Sequence, residues 1–251
     1  MGVRGEHRQE LMRRAVTEWD AYLTEHSGLP GPRGNLELLA AVGDVAPAAY
    51  LWACAASSDE YLAACGAAGL GRLLAEGDQE AEPALRRLAA DGRWRVREGV
   101  AMALQRLGDV DLARLVEITT SWAADGPLVQ RAAAAGLCEP RLLRSPTGAQ
   151  AAIDLMDRLT GALAALPAQR RRDDDVRVLR QALGYCWSVA VAAAPAAGFP
   201  LLERWAAADD PDVAWVVREN LRKTRLARAD PGWTARIAAA VPGVRPAPPR
   251  A

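Results

Sequence analysis

The sequence predicts an all-α protein, on three observations. A frame of Asp followed six residues later by Arg opens at Asp91 and returns at intervals of roughly 34 to 49 residues, each time where a helical segment begins. Hydrophobic residues make up 51% of the chain but aromatic residues only 5%, and Ala, the best helix former, dominates the apolar set. No run of alternating β-branched residues indicates a strand. Because helical repeats bury their faces on each other, we expect a right-handed α-solenoid of stacked antiparallel helix pairs.

The four copies of this frame keep their two charged residues while the residues between them differ. The copies are Asp91/Arg97, Asp125/Arg131, Asp174/Arg180 and Asp212/Arg218. An Asp just before a helix accepts hydrogen bonds from free N–H groups of the first turn and suits the positive end of the helix dipole. The Arg lies nearly two turns further on, too far to pair easily with its own Asp. We therefore expect each Arg to bind the Asp of a stacked neighbour, which would form a ladder along the array.

The first copy resembles the second helix of a HEAT repeat. Asp91, Val96 and Arg97 match the Asp, Val and Arg of that pattern, and Pro83 stands eight residues before the Asp, where the family often carries a proline that bends the first helix. The other copies lack this proline. The resemblance covers roughly residues 79–226, and it implies a binding scaffold, since HEAT arrays are mostly that.

Residues 1–34 are predicted to form an N-terminal helix and a Pro/Gly-rich linker. A helix over about 6–26 is predicted because apolar residues recur at helical spacing on one face. The residues of that face are Met12, Val16, Trp19 and Leu23. The breaker stretch 27–34 ends this helix, which would serve as a cap of the array or as a mobile arm.

The predicted solenoid occupies residues 35–240. Asn35 would cap a helix that runs to about Val42, helices at about 46–57 and 59–76 would follow, and Gly77 would end the second of them. Clearer pairs are predicted at 79–90 with 93–107, 110–124 with 127–138, 147–166 with 174–194, and 199–208 with 212–226. A last helix over about 231–240 would close the array. The tail 241–251 is too rich in Pro to fold and is expected to be disordered.

Composition limits the function. The 31 basic and 31 acidic residues cancel, and the mild positive excess of the C-terminal part falls well short of a dedicated nucleic-acid-binding domain. The four cysteines lie in apolar helical segments without a CxxC motif, so we expect reduced core thiols in a cytoplasmic, bacterial protein. The uncharged stretch 182–202 is broken by Pro195 and Pro200, which favours a buried helix and a turn over a membrane span.

Enzyme signatures are not found. The chain has no Gly-rich phosphate loop followed by Lys, no HExxH and no GxSxG. Its two histidines, His7 and His26, are expected at the surface near the start and end of the first helix. We therefore expect no catalytic residue, no metal and no cofactor.

The candidate binding residues lie mainly on the last full repeat. They fall at helical spacing on one face with Lys223 beside them, and they are Trp215, Arg218, Arg222, Lys223 and Arg225. An aromatic ring next to guanidinium groups suits a phosphate or a stacked base. Trp94 and Arg177 occupy the position of Trp215 in the first and third copies. The alternative is that the final repeat turns a polar face to water as a cap.

Two functions are weighed. The first is a non-catalytic scaffold that binds a partner protein or peptide on its concave face. The alternative is a DNA-binding protein that resembles the HEAT-like alkylpurine DNA glycosylases, and a weaker third reading is a regulator like the HEAT-like proteins with bilin lyase activity. A protein partner is favoured over nucleic acid, and no membrane partner is expected.

Overall fold

The computed structural model describes residues 2–241, and every regular element within them is helical. There are 15 α-helices joined by turns and short 3-10 segments, and no strand occurs in this part of the chain. The all-α prediction is confirmed, while the handedness of the solenoid stays a prediction. The predicted disordered tail lies outside the described residues, apart from Val241.

The chain divides into two compact units, with the boundary between Asp111 and Leu112. Unit 1 contains α1 (Val3–Arg13), α2 (Trp19–His26), α3 (Leu36–Val45), α4 (Ala48–Ala55), α5 (Glu60–Ala75), α6 (Ala81–Leu88) and α7 (Trp94–Val110). Unit 2 contains α8 (Leu112–Trp122), α9 (Pro127–Leu137), α10 (Pro146–Ala164), α11 (Asp174–Ala193), α12 (Pro195–Ala206), α13 (Pro211–Leu221), α14 (Thr224–Ala229) and α15 (Pro231–Ala240).

In unit 1 the helices α1, α3, α5 and α7 pack side by side, with α4 and α6 against α5 and α7. At the C-terminal end of α3, Asp44 accepts hydrogen bonds from Arg4 at 2.6 Å and lies 2.9 Å from Arg106 of α7. Burial raises the pKa of Asp44, but the hydrogen bonds and charges of the two arginines outweigh burial and hold it below its ordinary value. One carboxylate thus ties three helices together. The N-terminal helix belongs to this packing and is not a separate arm.

The single helix predicted over about 6–26 is wrong. The helix α1 ends at Arg13, a 3-10 turn follows, and α2 begins at Trp19. The break allows the indole N–H of Trp19 to fold back and donate to the carbonyl of Leu11 at 3.1 Å. It also leaves Met12 and Val16 exposed, at 62% and 40%. Met12 and Val16 have the spacing of a helix face, but they are not buried with Trp19, because a turn rather than a continuous helix brings Trp19 against Leu11.

Asn35 caps α3 as predicted, and it also links α3 to the histidines. Its Oδ1 accepts from the N–H of Leu38 at 3.0 Å, and its amide nitrogen lies 3.2 Å from Nε2 of His7. Nδ1 of His7 lies 3.0 Å from the hydroxyl of Tyr22, and the ring of His26 stacks on Tyr22 at 4.2 Å between centroids. The histidines do lie near the surface, but both converge on one tyrosine.

Gly77 ends α5 as predicted. Its φ of +98° is the left-handed conformation that favours glycine. The next residue, Asp78, donates its N–H back to the carbonyl of Leu73 at 2.9 Å. This closes the helix end with the bond pattern typical of a glycine cap.

In unit 2 the helices α9, α11 and α13 pack side by side, with α8, α10 and α12 against them and α14 and α15 at the C-terminal side. The fully buried amide of Asn220 joins α13 to α11. It donates to the carbonyl of Leu183 at 2.9 Å and accepts from the N–H of Ser188 at 2.8 Å. Because a buried amide needs partners for both ends, this pair of bonds fixes how the two helices meet.

The helix predicted to begin at residue 199 begins earlier. Pro195 is the first residue of α12, a position where the missing N–H of proline costs nothing. Pro200 lies inside the same helix and does not break it. The expected turn is therefore reduced to Ala194, between α11 and α12.

In the first copy of the repeat frame, Arg97 contacts the backbone that precedes its own helix. Val96, beside it, is fully buried. Arg97 donates to the backbone carbonyls of Asp91 and Gly92 at 2.5 Å and 3.0 Å. The carboxylate of Asp91 is bound by Arg93 at 2.7 Å. Arg97 thus contacts the backbone at the start of its own copy.

A ladder contact between neighbouring copies is observed where Arg180 of α11 binds Asp212 of α13. Asp212 is only 8% exposed at its side chain and is also bound by Arg171 at 3.1 Å. Asp174 does not take part as predicted: its side chain is 84% exposed and pairs with Arg177 of its own helix at 3.0 Å. The reason is that Asp173 is the residue that precedes the helix, so Asp174 already points outward from its first turn.

The remaining members of the frame lie where the helix pairs require. Pro83 is the third residue of α6. Asp125 lies in the turn before α9, and Arg131 lies within that helix. Arg218 lies on α13 and is discussed with the surface to which it belongs.

Candidate functional site

Titratable side chains do not form a metal site or a reactive thiol in the part of the chain that the structure describes. No group of three or more His, Cys, Asp or Glu within residues 2–241 is arranged to hold a metal ion. The four cysteines are free and buried. Burial raises the pKa of the Cys54 thiol to about 11 and that of Cys65 well above its ordinary value. These thiols therefore stay protonated at neutral pH and pack as small apolar groups.

Among the described residues, no helix is both long enough and apolar enough to cross a membrane.

The eight tryptophans differ in whether the indole N–H has a hydrogen-bond acceptor. Five donate it to an acceptor: Trp19, Trp52, Trp187, Trp205 and Trp233. Trp122 is fully buried and interacts with another residue. Trp94 and Trp215 have no acceptor within residues 2–241, and both stand three residues after the Asp of the repeat frame. The repeat therefore presents an unsatisfied aromatic donor at the same position in its first and last copies.

The first of these residues borders an apolar groove in unit 1, called here the Trp94 groove. Trp94 begins α7 and is 48% exposed, and Leu36 begins α3 and is 56% exposed. The groove has a volume of about 330 Å³. Its lining residues are Arg33, Gly34, Leu36, Leu39, Tyr61, Ala64, Trp94, Arg95 and Glu98. Since Leu39 and Tyr61 are almost fully buried, they form its floor.

Three charged residues line the Trp94 groove, namely Arg33, Arg95 and Glu98. The guanidinium of Arg95 lies 5.0 Å from the ring centroid of Trp94, and it is held by Glu60 at 3.0 Å and by the carbonyl of Gly31 at 3.1 Å. Its charge is therefore neutralised and its position fixed. Arg33 has no ion pair within the described chain. The rim thus offers one unsatisfied cation beside an apolar hollow.

The phenol of Tyr61 separates the Trp94 groove from a polar pocket of about 370 Å³. Its hydroxyl donates to the carbonyl of Asn35 at 2.6 Å. Burial raises its pKa well above the ordinary value, so the ring stays neutral. The polar pocket is lined by Thr24, Ser27, Leu29, Pro30, Asp59, Glu60, Tyr61 and Arg95.

The second tryptophan lies on a surface of unit 2 that the sequence assigned to a single helix, and that assignment is wrong. The helix α13 ends at Leu221, and α14 starts at Thr224. Arg222 is the C-cap residue of α13 and Arg225 lies on α14, so Arg225 does not share a helix face with Trp215. The turn between the helices instead brings the basic side chains against α11.

Two rings define this surface, called here the Tyr185 surface. Trp215 packs on Gly184 of α11, where a Cβ would lie 2.8 Å from the indole, so only glycine leaves room for it. Arg180 lies 5.0 Å from the ring centroid of Trp215. Tyr185, the next residue of α11, is 47% exposed. The ring of Trp215, from α13, thus lies over the residue of α11 that directly precedes Tyr185.

Tyr185 is bordered by cations. The guanidinium of Arg225 lies 4.7 Å from its ring centroid and donates to its hydroxyl at 3.0 Å, and Nζ of Lys223 lies 6.0 Å from the same centroid. A guanidinium stacked on a ring is held in one orientation, which favours its use in recognition. Lys223 and Arg225 are thus positioned by an aromatic ring rather than by acidic partners.

The candidate cations fall into two groups. Arg177 binds Asp174 at 3.0 Å, Arg222 binds Glu219 at 2.5 Å, and Arg180 binds Asp212. In contrast, Arg218, Lys223 and Arg225 have no carboxylate partner in the described chain. The Tyr185 surface therefore carries an excess of positive charge even though the whole chain has a net charge of zero.

Several residues of these two surfaces were not predicted from the sequence. Leu36, Tyr61 and Arg33 approach Trp94 from other helices and loops, and Tyr185 approaches the basic residues from α11. A signal existed for Leu36, an apolar residue directly after the cap Asn35, where burial within the helix pair is poorest. None existed for Tyr185.

No protein-family model and no curated protein matches the chain. Among solved structures, the chain is similar to three engineered proteins of the Northeast Structural Genomics Consortium. The first is 19% identical with a TM-score of 0.39, over 91% of this chain and 98% of that one. The second is 19% identical with a TM-score of 0.39, over 92% and 100%. The third is 20% identical with a TM-score of 0.38, over 86% and 57%. These likenesses are too distant to bear on function.

Proposed function

We propose that the protein is a non-catalytic, HEAT-like scaffold that binds an extended segment of a partner protein in the Trp94 groove. The observation that carries the proposal is the pair formed by Trp94 and Leu36, two large apolar side chains that stand about half exposed on either side of a groove of about 330 Å³. Large exposed apolar groups around a concave surface are typical of interaction sites.

The groove indicates the chemistry of the bound segment. Its volume lies at the small end of the range for ligand pockets, which suits one or two side chains rather than a cofactor. The floor of Leu39 and Tyr61 is apolar, so a large apolar side chain would fill it. The unpaired guanidinium of Arg33 at the rim favours an acidic residue next to that side chain.

The indole N–H of Trp94 adds a directional contact. An exposed tryptophan presents apolar area together with one hydrogen-bond donor, and such residues often dominate the energy of an interface. The carbonyl of an extended segment would accept this hydrogen bond. Arg95, stacked on Trp94 and bound to Glu60, holds the ring in place before the partner arrives.

Selection of peptides from a random phage-displayed library on the full chain tests this proposal. We expect the selected peptides to share a large apolar residue near an acidic one. Trp94→Ala should weaken their binding by at least tenfold in fluorescence polarisation, because truncation of a central tryptophan commonly costs about 2 kcal/mol or more.

The matched control is Val110→Ala, which removes an exposed apolar side chain at the other end of the same helix, where Val110 is 71% exposed. This variant should bind as the parent chain does. Selected peptides that bind the Trp94→Ala variant as tightly as the parent chain would exclude the groove as their site.

Duplex DNA binding, as in the HEAT-like alkylpurine DNA glycosylases, is the alternative function. This hypothesis was based on a continuous basic helix face over residues 215–225, and the helix break after Leu221 divides that face. Two cations without acidic partners, Lys223 and Arg225, lie beside a single exposed ring, that of Tyr185, which favours a different nucleic-acid ligand.

A further inference from the structure

The Tyr185 surface of unit 2 combines cations that lack acidic partners with an exposed aromatic ring. Several surface arginines have a carboxylate partner, as for Arg4 with Asp44, whereas others, such as Arg33, have none within residues 2–241. On this surface Lys223 and Arg225 lie beside the Tyr185 ring and Arg218 lies one turn after Trp215 on α13, and none of the three has a carboxylate partner among the described residues. A polar cap that only keeps the array soluble needs neither an exposed tyrosine nor cations stacked on it. The Tyr185 surface therefore has features that solubility alone does not explain.

We propose that the Tyr185 surface binds single-stranded nucleic acid, with phosphates on Arg218, Lys223 and Arg225 and an unpaired base stacked beside Tyr185. Sequence-tolerant recognition of single strands combines cations that follow the backbone with aromatic rings on which bases stack. Both components are present here within one group of side chains. This site is separate in residues and chemistry from the Trp94 groove.

The geometry favours an unpaired base over a base pair. In a duplex the faces of the bases are covered by their neighbours in the stack, so a ring cannot reach them without unstacking. Tyr185 is 47% exposed, and Arg225 lies over its ring. Unpaired bases stack on aromatic rings and on guanidinium planes alike, so the pair formed by Arg225 and Tyr185 is a suitable platform.

Trp215 supplies a second contact. Its indole N–H has no acceptor within residues 2–241, and Gly184 leaves the ring lying directly on α11. The N–H can donate to a phosphate oxygen or to the edge of a base. An acidic or phosphorylated peptide would use the cations but would leave both rings without a role, which is why a nucleic acid is the better ligand for this surface.

Fluorescence anisotropy of the full chain with a labelled 20-nucleotide oligo(dT), over a salt series, tests the proposal. Three phosphate contacts predict a slope of log K against log[salt] of about −2, at about 0.7 per phosphate for single strands. Arg218→Gln should reduce the slope by about 0.7. Tyr185→Ala should weaken binding by about 5- to 150-fold, the effect of losing one stacked base.

Two controls separate this site from general charge and from the Trp94 groove. Arg204→Gln removes an exposed arginine that already pairs with Asp157, so binding of oligo(dT) should not change. Trp94→Ala should weaken peptide binding by at least tenfold while leaving oligo(dT) binding intact. Since Tyr185 is exposed, Tyr185→Ala should fold normally, and Tyr185→Phe, which keeps the ring, should retain most of the affinity.

Three results would overturn the proposal. One is binding of a labelled duplex of the same length as tightly as the single strand. Another is an unchanged affinity in Tyr185→Ala, which would show that only charge is used. The third is stronger binding of a phosphoserine peptide than of oligo(dT), again sensitive to Arg218→Gln.

Discussion

The Trp94 groove and the Tyr185 surface begin from the same position of the same repeat frame and end with opposite character. In each, a tryptophan three residues after the frame Asp keeps its indole N–H without an acceptor and has an arginine 5.0 Å from its ring centroid. In unit 1 the neighbours are Leu36, Leu39 and Tyr61, and the surface is apolar. In unit 2 the neighbours are cations. The frame decides where a tryptophan is presented, and side chains from adjacent helices decide what it can bind.

The two tryptophans also differ in how they are held. Trp94 stands at a helix start with open space beside it and is steadied by Arg95 of its own helix. Trp215 is pressed onto α11, and its position depends on how α13 meets α11. Changes in the packing of these two helices should therefore affect the Tyr185 surface and leave the Trp94 groove unchanged.

The largest effect is expected from Asn220→Ala. It removes both hydrogen bonds to α11 and leaves the N–H of Ser188 and the carbonyl of Leu183 without this partner. Loss of buried polar partners costs about 2 kcal/mol, which corresponds to roughly 4–8 °C in thermal unfolding. Oligo(dT) affinity should fall as well, while peptide binding at Trp94 should persist. Gln181→Ala, an exposed change on α11, is the control, and equal melting of the two variants would contradict this account.

A smaller effect is expected from adding one methyl group at Gly184. Alanine is favoured over glycine in a helix by up to about 1 kcal/mol, but a Cβ here would lie 2.8 Å from the indole of Trp215. Overpacking typically costs about 1–3 kcal/mol, so a net loss of about 1 kcal/mol is expected. At Gly161 a Cβ would meet Trp205 at 3.8 Å, an ordinary contact, so Gly161→Ala should stabilise the protein by a few tenths of a kcal/mol. Chemical denaturation of both variants measures the difference, and changes of the same sign would show that Trp215 is not confined by Gly184.

The smallest effect is expected from Glu60→Gln. This change releases Arg95 from its carboxylate and makes the surroundings of Trp94 more like those of the cations around Tyr185. A surface ion pair such as this partly buried one contributes about 1 kcal/mol, so peptide affinity should fall by about fivefold at most. Weak binding of oligo(dT) should appear in unit 1. The control Glu25→Gln, an exposed change on α2, should neither weaken peptide binding nor create oligo(dT) binding. Tighter peptide binding by Glu60→Gln would show that Arg95 does not hold the ring of Trp94 in place.

The helices could be predicted from the sequence because their signals are local. Asn35 as a cap and Gly77 as a terminator act within one turn, and both predictions are confirmed. The surfaces could be predicted only where they follow the repeat, as for Trp94 and Trp215. Tyr185 could not be found this way, since its role depends on a turn after Leu221 that folds α14 back onto α11. Helical spacing alone treated residues 212–226 as one face and so aligned side chains that the turn separates.

The hydrogen bonds at Asn35 have a fixed direction, and this settles the chemical form of a ring on another helix. Oδ1 is occupied by the N–H of Leu38, so the amide nitrogen can only donate to Nε2 of His7. A neutral imidazole that accepts at Nε2 carries its proton on Nδ1, which then donates to the hydroxyl of Tyr22. The cap of α3 thus selects the Nδ1–H tautomer of a histidine 28 residues earlier in the chain, a form that nitrogen-15 chemical shifts of the imidazole identify directly.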